Sequence, residues 1–119
     1  EKPPLTPPDI IFPIVWSILF TLMAISAARV WLTENSRMKN RAMIVYAIQL
    51  FFNFLWPIVF FRFEAYWLAF FVLLALWVFI YLTMYAFGQT DDTAENLLIP
   101  YLLWVTFAGY LNLGVALLN

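Results

Sequence analysis

Four long apolar blocks dominate this chain, at about residues 10–32, 42–61, 65–87 and 97–118. Each is about 20 residues long, enough for a helix to cross roughly 30 Å of hydrocarbon. A membrane-barrel strand would instead alternate apolar and polar residues over about 10 positions. The blocks do not alternate, so the expected fold is an all-α integral membrane helical bundle with four transmembrane helices. Composition agrees: 66% of the 119 residues are hydrophobic and 11% are charged. Soluble domains sit near half and a quarter, and one this small could not hide so much apolar side chain from water. Residues 1–119 read as a single domain of this kind, with 1–9 a Pro-rich loop.

What is missing narrows the chemistry. A net charge of −1 excludes an electrostatic nucleic-acid binder. With no Cys, disulfide, thiol-redox and Cys-metal chemistry are out. With no His, the commonest general base, proton shuttle and metal ligand is missing. No metal site and no required cofactor are expected. The chain begins at Glu1 rather than Met, and no signal-peptide pattern is present.

Residues 1–9, EKPPLTPPD, hold four of the seven prolines and read as an extended or turn-like segment. Asp9 is placed to cap the first helix with its carboxylate. Pro13 and Pro100 fall near helix starts, where orphan N–H groups make proline tolerable. Pro57 falls inside the second block and should kink or thin that helix near its end. Only Arg62-Phe63-Glu64 separate the second and third blocks, which implies a tight antiparallel hairpin.

Every acidic residue lies at a terminus or between blocks: Glu1, Asp9, Glu34, Glu64, Asp91, Asp92 and Glu95. That excludes a proton-coupled exporter of cationic compounds, which needs a carboxylate within the membrane. Arg29, Arg37, Lys39 and Arg41 gather near one surface, against Lys2 and Arg62 on the other. The positive-inside rule then puts the 33–41 and 88–95 loops in the cytoplasm.

Polar groups inside the blocks are few, and each is costly there unless paired. Gln49, Asn53 and Trp56 share a face at i, i+4, i+7, and so do Trp104, Ala108, Leu111 and Asn112 in the last helix. Phe12, Trp16 and Phe20 follow at i+4 steps in the first. A cavity between these faces would be apolar, flat-walled and lightly polar, suited to a flat ligand with few polar atoms. A second reading stands beside this one. Asn and Gln commonly bond helices together, and Trp near helix ends commonly anchors at the interface. Tyr66 and Trp67 read as such anchors, Trp31 and Trp77 as packing or lipid-facing residues. Ala24 and Ala28 are spaced for close helix approach.

The order KPPLTPP, PIVWSILF, QLFFNFLWPIVFF and LLIPYLLWVTFAGYLN resembles the tryptophan-rich sensory protein or translocator protein family (TspO/MBR, the peripheral-type benzodiazepine receptors) over essentially the whole chain. The resemblance implies a five-helix membrane fold, usually homodimeric, that binds porphyrins, with sterols and benzodiazepine-type ligands in some members. It implies a role in tetrapyrrole sensing or transport, or light-dependent breakdown of protoporphyrin IX. Trp16 and Trp104 match the tryptophans linked to that breakdown. Gln49, Asn53 and Trp56 match the family's second polar face; Ala108, Leu111 and Asn112 match its last-helix pocket and dimer-proximal face. Trp67 matches an aromatic pocket position. The family's first helix has no counterpart here, and about 30 to 40 residues, one more span, are expected ahead of Glu1.

The sequence also departs from the family pattern. Leu5 stands where Trp is common in KPP-x-TPP, and Phe71 where many members have an acidic residue. After Leu111 there is neither the Tyr nor the basic residue of the sterol pattern. The expected location is a prokaryotic cell membrane. Three functions are carried forward. One is a binder of protoporphyrin IX, in which Trp16 and Trp104 pack on the ring, Gln49, Asn53 and Asn112 meet its polar atoms, and Lys2 meets a propionate. Another is a photo-oxidative enzyme in which Trp16 and Trp104 take part in the chemistry. The last is a purely structural subunit. Ser17, Ser26 and Thr106 have no partnered base for ground-state catalysis.

Overall fold

The structure is a computed structural model that describes residues 2–34 and 37–119. Glu1 and positions 35–36 of the 33–41 loop lie outside them. The elements are α1 (Ile11–Trp31), α2 (Arg37–Pro57), a π-helical turn (Ile58–Arg62), α3 (Tyr66–Gly88), the short α4 (Asp92–Leu97) and α5 (Ile99–Leu118). Four helical stretches among the described residues are long and apolar enough to cross a membrane: Ile11–Trp31, Arg37–Arg62, Tyr66–Gly88 and Asp92–Leu118. Large apolar side chains cover their outer surfaces, among them Ile14, Ile18, Ile25, Phe51, Phe71, Val78 and Leu103. Helices apolar all round suit a hydrocarbon surround. The molecule is an all-α integral membrane bundle.

The boundaries have local causes. Asp9 does not cap α1, contrary to expectation. The backbone at Ile10 is already helical, the first N–H groups bond to the carbonyls of Pro8 and Asp9, and the Asp9 carboxylate faces Lys2 at 3.5 Å. At Pro57 the missing N–H ends the α-helical ladder. The chain goes on in π geometry, with Phe63 N–H donating to Ile58 O at 3.1 Å. Glu64, at φ 52°, turns it back into α3. Between α1 and α2, the Lys39 ammonium lies 4.7 Å from the Trp31 ring centre.

α3 packs on α2 and α5 and carries much of the core, including Leu73, Leu76, Ile80 and Phe87. Trp77, half-exposed on α3, donates its indole N–H to Thr106 of α5 at 2.9 Å. α1 meets α2 only sparsely and is tied to α4 instead, where the buried Ser26 hydroxyl donates to Ala94 O at 2.6 Å. Ala24 and Ala28 lie on the outer face of α1, so they do not mediate close approach among the described helices. Loose α1–α2 packing leaves room inside the bundle.

Asp91 fixes the other end of α1. Its carboxylate caps α4 by accepting from Ala94 N–H at 3.1 Å, and it accepts from Arg29 Nε at 3.0 Å. The Ala94 N–H, helped by the Arg29 guanidinium, holds this carboxyl below the usual carboxylate range, against an opposing desolvation. A depressed folded pKa adds stability above the unfolded value, and that stability is lost as pH falls through the folded one. Asp91→Ala is therefore expected to be less stable than the parent at neutral pH. Thermal unfolding across a pH series should show the gap closing below the carboxylate range; a gap that persists at low pH would contradict this role.

Candidate functional site

Between α1, α2 and α5 lies a cavity of about 700 Å³, covered by the Pro-rich segment. α1 supplies Phe12, Trp16 and Phe20; α2 supplies Asn53 and Trp56; α5 supplies Trp104, Ala108, Leu111 and Asn112. The i+4 ladder of α1 puts its three rings on one wall because α1 turns a single stripe inward. Trp16 and Phe20 have ring centres 5.7 Å apart, and Phe20 stacks on Phe54 of α2 at 6.0 Å and 10°. Phe12 meets Trp104 edge-on at 5.7 Å, so α1 and α5 touch through aromatic rings. Lys2, Pro3, Thr6 and Asp9 complete the lining at the mouth.

The polar groups on these walls are largely spoken for. Asn53 Nδ2 donates to the Tyr101 hydroxyl at 2.6 Å, and that hydroxyl donates to Gln49 Oε1 at 2.7 Å. Gln49 Nε2 ends the chain at Met23 Sδ, 3.8 Å away. Higher up, Trp56 Nε1 donates to Asn112 Oδ1 at 2.8 Å, while Asn112 Nδ2 donates to Tyr66 O at 2.9 Å. These bonds join α1, α2, α3 and α5. Two groups stand apart. Asn53 Oδ1 carries no hydrogen bond among the described residues. Trp104 Nε1 is the one buried side-chain polar atom without a partner among them. An unsatisfied buried donor is expensive in an apolar setting.

Two expected site residues fall elsewhere. Gln49 is fully buried behind the wall, its amide consumed by Tyr101 and Met23, so it does not line the cavity. Trp67 is half-exposed on α3 and is not among the residues that line this cavity.

Sequence reasoning missed Tyr101, Phe54, Phe60, Phe61 and Val115. Tyr101 was legible: it precedes Ala108 by seven residues and Asn112 by eleven, so it shares their face. Phe60 and Phe61 were not, because the π turn after Pro57 changes the angular step on which face arithmetic depends. A second, shallower depression of about 400 Å³ lies between α1 and α5, with Val15, Leu103 and Phe107 on its sides. Its rim residues Ile18 and Leu103 are exposed, so it belongs to the outer apolar surface.

Known proteins place this architecture. The family model described as TspO/MBR family matches residues 1–118. The chain is 41% identical over 119 residues to "Tryptophan-rich protein TspO" of Chlorobaculum tepidum, covering 99% of this chain and 75% of that protein. It is 42% identical to "Tryptophan-rich sensory protein" of Cereibacter sphaeroides, covering 100% of this chain and 73% of the relative. It is 34% identical over 115 residues to "Translocator protein" of Bos taurus, covering 94% and 68%. With helices, aromatic walls and whole-chain similarity in agreement, this chain belongs to the TspO/MBR family of integral membrane proteins.

Proposed function

We propose that the chain binds protoporphyrin IX and similar flat, mostly apolar ligands in the cavity between α1, α2 and α5, acting in tetrapyrrole sensing or transport. One observation carries the reading: about 700 Å³ of space walled by Phe12, Trp16, Phe20 and Trp104, within the ordinary size range of ligand pockets. Ring faces and edges on two sides suit a planar macrocycle, at about 0.5–1.5 kcal/mol per aromatic contact beyond area burial. An open polar group adds chemistry. Asn53 Oδ1 can accept from a pyrrole N–H, which a metal-free macrocycle retains. Lys2 at the mouth carries the charge that a propionate would meet. Neither His nor Cys is present to ligate a haem iron, which favours the metal-free pigment.

The test is a protoporphyrin IX titration of the protein in lipid, in the dark and then under light, beside Trp16→Phe/Trp104→Phe. Saturable binding that survives in the double variant, since Phe keeps most ring packing, supports the binder. Absence of saturable binding to the parent sinks it. Bleaching that needs both indoles would move the assignment to light-dependent breakdown.

The same reading includes a homodimer in a prokaryotic membrane, with the 33–41 and 88–95 loops cytoplasmic. The Arg29–Asp91 pair supports a common side for those loops, where the basic residues gather. Labelling Gln89→Cys from either face of sealed vesicles checks the orientation. The mass of the particle in lipid nanodiscs checks the dimer; a monomer mass would refute it.

A further inference from the structure

The Pro-rich segment is attached to α5 at two points. Pro3 is buried although Lys2, Pro4 and Leu5 beside it are exposed. Its ring lies against Gly114: a Cβ there would come within 2.6 Å of Pro3 Cβ and 2.7 Å of Pro3 Cγ. No side chain fits at 114 while Pro3 is seated. Glycine weakens a helix interior relative to alanine, so the close approach gives Gly114 a physical reason. One turn earlier, the Tyr110 hydroxyl donates to Pro4 O at 2.7 Å. The turn between them is held by Thr6 Oγ1, which donates to Pro3 O at 2.6 Å, and by Leu5 in the left-handed region at φ 70°. Pro3 and Thr6 line the cavity. The segment is therefore a cover whose shape is set by its own turn and whose position is set by α5.

We propose that Gly114 and Tyr110 are positioning residues that clasp this cover over the cavity and set how fast a ligand leaves. The proposal rests on the cavity being a ligand site. It makes the far end of α5, away from Trp16 and Trp104, the determinant of residence time. Neither residue lies among the cavity-lining side chains. Loss of the clasp changes the barrier to exit more than the contacts made inside.

Tyr110→Phe deletes the tether and Gly114→Ala pushes Pro3 away. Each is expected to raise the dissociation rate of protoporphyrin IX about five- to tenfold, the worth of one hydrogen bond. Gly114→Ala should do so without lowering thermal stability, because alanine favours the helix; a general loosening of the fold would speed release and lower thermal stability together.

A ligand-free arm uses the absence of natural cysteine. Val115→Cys places a thiol on the cavity wall, and its alkylation by a water-soluble maleimide should be faster in both clasp variants. The lock is Pro3→Cys/Gly114→Cys, tested without the reporter. Disulfide Cβ atoms sit about 3.5–4.5 Å apart, so the cover must back off by about 1 Å to form it. Oxidation should slow pigment release below the parent rate, and reduction should raise it above that rate. Equal alkylation in all backgrounds, or pigment release indifferent to the lock, overturns the clasp. The two readings fail separately. Saturable pigment binding with unaltered alkylation and release sinks the clasp alone. Altered alkylation with no pigment binding keeps the clasp and sinks the ligand.

Discussion

Tyr101→Phe is expected to destabilise the bundle by about 2–3 kcal/mol, although it removes a single oxygen. The hydroxyl stands between two amides, accepting from Asn53 Nδ2 and donating to Gln49 Oε1. Tyr101 and Gln49 are fully buried, and Asn53 nearly so. Interhelical hydrogen bonds in membrane proteins contribute about 0.6 kcal/mol on average and up to about 1.7, because the unfolded chain in lipid finds partners too. Two such bonds, with two buried amide groups left short of a partner, set the expected loss. Unfolding of parent and variant by a graded denaturing detergent in mixed micelles measures it. A loss below about 0.5 kcal/mol would show that the network is decorative. Replacing all three groups, as Gln49→Leu/Asn53→Leu/Tyr101→Phe, should cost less than Tyr101→Phe alone, because no amide is then stranded.

Ala108→Phe is expected to weaken protoporphyrin IX binding roughly 10- to 100-fold while leaving the helices intact. Ala108 is buried on the α5 wall, between the levels of Trp104 and Asn112. Ala108 borders the cavity as well as the core, so a ring at this position has the cavity to enter. A ligand that needs that space must then move or strain, at a cost of about 1–3 kcal/mol, the range seen for overpacking. Binding measured by pigment absorbance and folding measured by circular dichroism separate the two effects. Unchanged affinity would place the ligand away from α5. Lost helicity would mean that Ala108 serves packing instead.

These two residues also mark how far the sequence could be read. Ala108 was legible because it shares a periodic face with Trp104 and Asn112, and helical periodicity survives whatever the neighbours do. Tyr101 sits on the same stripe, yet its importance depends on what faces it. No spacing within α5 reveals that two amides of α2 converge on its hydroxyl. Gln49 and Asn53 show the same limit from the other side. They are one turn apart on one face, but Asn53 reaches the cavity wall and Gln49 is enclosed behind it. The Asp9 cap failed for a related reason: local preference favours a carboxylate at a helix start, but backbone carbonyls of Pro8 and Asp9 already serve those N–H groups.

The membrane, the four spans, the tight hairpin between α2 and α3, and the family are all legible in the order of the residues. Those properties follow from runs of like residues and from ordered motifs, both of which are one-dimensional. Which polar groups face the cavity and which bind helices together emerges only when the helices pack. So does the way the Pro-rich segment is held. Hydrogen bonds and close approaches join residues far apart in the chain, such as Tyr110 to Pro4 and Asn53 to Tyr101. Their partners are chosen by how the helices rotate and pack against one another.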